Sequence, residues 1–123
     1  MKDFRQLKVW DKAHQLTLAA YRSTQGFPPE ERFGLTSQIR RCCASIPANI
    51  AEGCGRVSDG DFQRFLQIAM GSASELDYHL LLARDLGYLT KSAYDDIAAQ
   101  LHEVKSMLAP LIRKVRSAHA SGD

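Results

Sequence analysis

The sequence predicts an all-α fold: an antiparallel, up-down-up-down four-helix bundle in a single domain over residues 1–123. Three observations lead there. Apolar residues recur at steps of three and four along four segments, and no stretch alternates with period two long enough to make a strand. Three of the four segments are long. The connection around Gly87 is only a few residues, and a short loop forces the helices it joins to run antiparallel. The balance of 45% apolar and 24% charged residues is that of an ordinary folded domain. A core is feasible at this length without disulfides or metal.

The first helix is expected over residues 7–25. Leu7, Trp10, Ala13, Thr17, Ala20 and Tyr21 recur at helical spacing, with Leu16 alongside. Asp3 and Gln6 have the spacing of a capping box, Gly26 suits the position after a helix end, and Phe27-Pro28-Pro29 breaks the chain.

The second helix is expected over residues 34–55, and it has three stripes. Leu35, Ile39, Cys42, Ile46 and Ile50 are apolar. Ala44, Ala48, Ala51 and Gly55 are small, which lets another helix approach. Gln38, Arg41, Ser45, Asn49, Glu52 and Arg56 are polar. Pro47 removes the amide that would bond the Cys43 carbonyl, so a kink is expected there.

The third helix is expected over residues 59–86. Ser58 is its N-cap, Asp59 and Asp61 complement the helix dipole, and Gly87 ends it. Its apolar face runs from Phe62, Phe65 and Leu66 through Ala69, Ala73, Leu76 and Leu80 to Ala83. The fourth helix is expected over residues 91–116 behind Thr90, with Tyr94, Ile97, Leu101, Val104, Leu108, Leu111 and Val115 facing inward. Pro110 threatens a kink or an early end, and the residues after Ala118 read as a frayed tail.

Charge is unevenly spread although the net value is only +2. Residues 1–56 and 105–123 are basic on balance, and residues 59–103 are acidic. This pattern suits complementary faces between neighbouring helices or subunits, or a basic surface. The longest apolar run, Leu80-Leu81-Leu82-Ala83, falls far short of a membrane span, and the first residues lack the apolar stretch of a signal peptide, so no membrane association and a cytoplasmic location are expected. The odd count of three cysteines fits reduced thiols. Cys43 and Cys54, about 16 Å apart on one helix, are too distant to bond. Small buried side chains are the expected role for Cys42, Cys43 and Cys54.

Residue constellations for chemistry are scarce. Di-iron bundles need two Glu-x-x-His motifs. Here only Asp11-x-x-His14 and Glu75-x-x-x-His79 come near, and an isolated pair cannot close a coordination sphere. Gly53-Cys54-Gly55-Arg56 lacks the strand and the lysine–hydroxyl pair of a phosphate loop. No serine sits in a nucleophile elbow, and the four histidines are scattered. No catalytic residue, metal site or cofactor is expected. The polar stripe has three readings: a solvated face, a network at a helix or subunit seam with Ser72, Glu75 and Arg64 as partners, or a ligand or RNA contact. In the second reading Arg41 or Arg56 pairs with Glu52 or Glu75.

The stretch Gly34-Leu35-Thr36-Ser37-Gln38-Ile39-Arg40-Arg41, followed by Ser45-Ile46-Pro47-Ala48-Asn49-Ile50-Ala51-Glu52-Gly53 and Gly55-Arg56, resembles the signature of proteins encoded in 23S ribosomal RNA intervening sequences, sometimes labelled S23. Phe4-x-x-Leu7-x-Val9-Trp10, Phe62-x-x-Phe65-Leu66, Gly71-Ser72-x-x-Glu75-Leu76 and Asp85-Leu86-Gly87-Tyr88 resemble the same family's other blocks. The resemblance implies a four-helix bundle in a ring-like homo-oligomer, with a pentamer foremost. Its relatives include the accessory variability determinant of diversity-generating retroelements, a pentameric barrel that works with a reverse transcriptase and nucleic acid. The expected role is therefore a non-enzymatic assembly or scaffold protein whose main partner is itself. The alternative is RNA binding, or docking to a nucleic-acid-processing protein, through a basic surface of Lys8, Lys12, Arg22, Lys105, Arg113, Lys114 and Arg116. The modest net charge departs from the retroelement relatives and weakens that alternative.

Overall fold

The computed structural model describes residues 2–120. They form α1 (Lys8–Thr24), α2 (Leu35–Cys54), α3 (Asp59–Asp85) and α4 (Lys91–Ala120), with 3₁₀ turns at Phe4–Gln6 and Pro29–Glu31 and no strand among the described residues. α1 packs on α2 and α4, and α3 packs on the same two, while the diagonal pairs stay apart. This is the expected four-helix bundle with antiparallel neighbours.

The caps explain the boundaries. Ser58 accepts a hydrogen bond from the Asp61 amide at 3.2 Å, and Thr90 accepts one from the Ala93 amide at 3.1 Å. Gly87 takes the left-handed backbone (φ 82°), which lets the Tyr88 amide reach back to the Ala83 carbonyl at 2.9 Å. Two expected caps differ. Asp3 caps the 3₁₀ turn through the Arg5 amide instead of starting α1, and Gly26 does not adopt a left-handed conformation. α1 ends instead in successive tight turns, Gln25 to Arg22 and Phe27 to Thr24.

α4 also differs from expectation, because it continues through Pro110 to Ala120. Proline removes an amide to the carbonyl of Ser106, which is exposed and so open to water, and Ile112 and Val115 beyond it are buried against the core. His119 is helical and lies against Gly60 at the start of α3; the end of the expected tail, residues 121–123, lies outside the described residues.

The core is led by Leu16, Ile39, Ile46, Ile50, Leu66, Leu76, Leu80, Ile97, Leu101 and Leu108. Tyr21 does not join the inward face of α1; it is 42% exposed, with the Arg40 guanidinium over its ring at 4.7 Å. Val9 and Thr24 take inward positions instead. Pro47 is accommodated by a neighbour: the Thr17 hydroxyl of α1 lies 3.3 Å from the Cys43 carbonyl, the oxygen that the proline leaves without an amide, and 2.8 Å from the Ala13 carbonyl.

α2 and α3 are in tight contact where Gly53 faces two aromatic residues. A Cβ at position 53 would lie 2.9 Å from Cδ1 of Phe62 and 3.0 Å from Cβ of Phe65. The second of these is fixed to the backbone and cannot move aside. Gly53→Ala should therefore destabilise the fold by about 1–3 kcal/mol, the cost of overpacking, and outweigh the helix-propensity gain of about 1 kcal/mol that alanine brings. Urea unfolding of the two proteins measures the sign, which an exposed helical glycine would reverse.

Candidate functional site

The polar stripe of α2 faces the α3 side of the bundle. There it borders an open groove of about 200 Å³ lined by Gln38, Arg41, Cys42, Ser45, Ser72 and Glu75. A single contact sets the register: the hydroxyls of Ser45 and Ser72 are 2.9 Å apart. In antiparallel helices this places residue 42 opposite residue 75 and residue 38 opposite residue 79. Asn49 turns back along α2, its Nδ2 donating to the Ser45 carbonyl and hydroxyl, each at 2.8 Å. All three side chains are half-buried. This part of the stripe is a network across the α2–α3 seam.

The rest of the stripe does other work. Glu52 and Arg56 pair with each other one turn apart at 3.4 Å, both largely exposed, a contact worth roughly 0.5 kcal/mol or less. Arg56 also covers the Phe65 ring, 4.9 Å from its centroid. Arg64 pairs with Asp61 at 3.8 Å and also sits over Phe65, so it does not serve the stripe. Arg41 lines the groove and makes no ion pair among the described residues, neither with Glu52 nor with Glu75.

Cys42, Ser72 and Glu75, outside the stripe, complete the groove lining. Glu75 reaches His79, one turn along α3, with Oε2 to Nε2 at 3.2 Å. The His79 side chain is only 17% exposed, and its Nδ1 is buried with no hydrogen-bond partner. Cys42 comes from α2, and its thiol, a Glu75 oxygen and a His79 nitrogen all lie within 4.8 Å of one another. Burial, and next the negative charge of Glu75, push the Cys42 thiol up to about 12. Burial raises Cys43 to about 11, partly opposed by the Thr17 hydroxyl. As expected, all three cysteines are free and buried. Sequence spacing shows the Glu75–His79 pair, one helical turn apart, but not Cys42, which only the pairing of α2 with α3 brings to it.

The basic residues considered for nucleic acid are divided. Lys12 bridges to Glu103 at 3.1 Å, and Lys105 bridges to Asp77 of α3 at 3.6 Å. Positions 103 and 105 differ by about 200° around a helix, so these two lysines lie on opposite flanks of α4. Lys8, Arg22, Arg113, Lys114 and Arg116 are exposed. No helix among the described residues is long and apolar enough to cross a membrane.

The family model described as 23S rRNA-intervening sequence protein matches residues 5–110. A solved structure from Bacteroides thetaiotaomicron VPI-5482, a protein with unknown function from the S23 ribosomal protein family, is similar at 30% identity and a TM-score of 0.77. The match covers 85% of this chain and 97% of that one. A search of curated proteins returned no match.

The seam network makes two predictions. Ser45 touches both Ser72 and Asn49, so Ser45→Ala should cost more stability than Ser72→Ala, and a double-mutant cycle between them should show a coupling of about 0.5–1.5 kcal/mol. Additive unfolding energies would show the hydroxyl contact to be inert. Secondly, the raised thiols of Cys42 and Cys43 stay protonated at pH 8, and thiolate is the reactive form. Iodoacetamide should therefore label Cys42 and Cys43 slowly in the native protein and rapidly in denaturant, as peptide mass spectrometry would read.

Proposed function

Because the chain belongs to the 23S rRNA-intervening sequence protein family, we propose that it acts as a non-enzymatic assembly subunit: a scaffold that associates with copies of itself through the outer face of α2 and α3. The supporting observation is the small-residue stripe of α2. Ala48 lies opposite the buried Ile46 and Ile50 around the helix and is exposed, and Ala44 and Ala51 flank it, half-buried. Between Arg41 and Glu52 this outward arc carries no charge. A helix face meant only for water ordinarily carries charged side chains, whereas the centre of a protein interface is depleted of them. Beside it on α3, Ile68 is 41% exposed and Gly71 has open space where a side chain would stand. A second helix can approach such a surface closely.

The reading assigns no reaction to the chain. The small net charge and the lysines already bridged to acids favour self-association over a continuous nucleic-acid surface. Light scattering during size-exclusion chromatography tests it. At micromolar concentration the protein should elute as a closed oligomer of the 13.7 kDa chain, with five copies the stoichiometry to look for first. A strict monomer overturns the proposal. Ala48→Glu places a charge at the centre of the face and should weaken association by about 10-fold or more, equivalent to about 1.4 kcal/mol. Its helical circular dichroism should be unchanged, because Ala48 supports nothing within the bundle.

A further inference from the structure

We propose that Cys42, Glu75 and His79 form a binding site for a thiophilic divalent metal, Zn(II) by its chemistry, that clips α2 to α3 and leaves one coordination position open to the groove. Geometry carries the argument. One carboxylate oxygen, one thiol sulfur and one imidazole nitrogen, drawn from two helices, converge within 4.8 Å. Ligand pairs around tetrahedral zinc stand about 3.3–3.6 Å apart, from bond lengths of about 2.0–2.3 Å. The Glu75–His79 edge, at 3.2 Å, is already near that spacing. The spacings to the Cys42 sulfur are no more than 4.8 Å, so closing them to a zinc sphere needs a shift of at most about 1.2 Å, within reach of a side-chain rotation on fixed backbones. The positions are held by the fold: the Ser45–Ser72 contact fixes the register one turn away, and Glu75 and His79 are adjacent turns of one helix.

The His79 and Cys42 donors are weakly held by the rest of the protein. His79 Nε2 is the nitrogen that faces Glu75, and Nδ1, on the other edge of the ring, is buried with no hydrogen bond that fixes it. Cys42 likewise lacks a strong partner, with only the Ile39 carbonyl at 3.6 Å. On metal binding the thiol proton leaves to solvent, and the thiolate and carboxylate together balance the dication. The site is then neutral, and the Arg41 guanidinium on the groove wall is not opposed by a net positive charge. The donor set selects the ion. Thiolate with imidazole favours zinc and cobalt, and a three-ligand sphere containing sulfur does not suit calcium or magnesium. Water, or a donor from another molecule, fills the fourth position.

The probe is Co(II) or Zn(II) added to untagged, metal-stripped protein. One equivalent of Co(II) should give the thiolate-to-cobalt charge-transfer band and the intense visible bands of a tetrahedral site, and Zn(II) should abolish both by displacement. Zn(II) should also raise the unfolding temperature. Cys42→Ser should eliminate the charge-transfer band, and His79→Gln should weaken Zn(II) binding by about 10-fold or more, the scale reached when even a group bonded to a ligand is lost. Cys54→Ser, remote from the cluster, should leave both signals intact. The wild-type spectrum decides without any variant: no charge-transfer band at stoichiometric Co(II) overturns the proposal. A band that survives in Cys42→Ser also overturns it, because another thiol is then the ligand. Loss of the band only in a variant with reduced helical circular dichroism is resolved by His79→Gln, whose partly exposed side chain can be replaced without opening the core; unchanged zinc affinity there overturns the site.

Discussion

The close antiparallel contact between α2 and α3 governs the rest of the molecule. It requires a residue without a side chain at position 53, because the Phe62 and Phe65 side chains occupy that space. It is keyed further along by the Ser45 and Ser72 hydroxyls at 2.9 Å. A shape constraint at one end and a polar contact near the middle together fix both the separation and the register. A slide of one turn would remove the hydroxyl pair and drive a Cβ into an aromatic ring.

The other helices are arranged around that pair. α1 closes the opposite flank of α2, where Thr17 approaches the Cys43 carbonyl that Pro47 leaves free, and Arg40 reaches the Thr24 hydroxyl at 2.8 Å. A proline inside a helix costs about 3 kcal/mol in isolation. The Thr17 hydroxyl, which also meets the Ala13 carbonyl at 2.8 Å, offers the Cys43 carbonyl only a share of its one proton. α4 completes the square against α1 and α3. α2 is thus committed on three sides: to the core, to α1 and to α3. Its fourth side is lined with alanines and committed to nothing within the monomer, which is why that side carries the proposed assembly role.

The α2–α3 groove combines features usually kept apart. Its lining holds the buried Cys42 thiol together with Arg41 and the Glu75 carboxylate, and the His79 imidazole, one of whose nitrogens has no partner, stands beside Glu75. Weakly satisfied buried groups reduce the stability of a small domain, and a bundle could replace them with leucine at no topological cost. Their presence where two helices are held in fixed register argues for a role in binding.

The sequence by itself determined the four helices, their order and most of their ends. Period-3.6 patterning, the caps at Ser58 and Thr90, and Gly87 act within one or two turns of chain, so they are legible without a partner helix. The polar stripe was visible for the same reason, and so was the Glu75–His79 pair. Features that depend on a second helix were not legible. Pro110 reads as a break, yet α4 runs on, because Ile112 and Val115 beyond it are held by burial. Tyr21 has inward spacing but lies outside, beneath Arg40. Glu52 and Arg56 share a stripe with Ser45 and Asn49, yet they pair with each other at the surface while the latter two bond across or along the seam. Cys42 reads as one more small apolar residue, and only the register of α2 against α3 sets its sulfur beside Glu75 and His79. Local hydrogen bonding and periodicity are written in neighbouring residues; the meeting of side chains 33 positions apart is decided by how two helices pack.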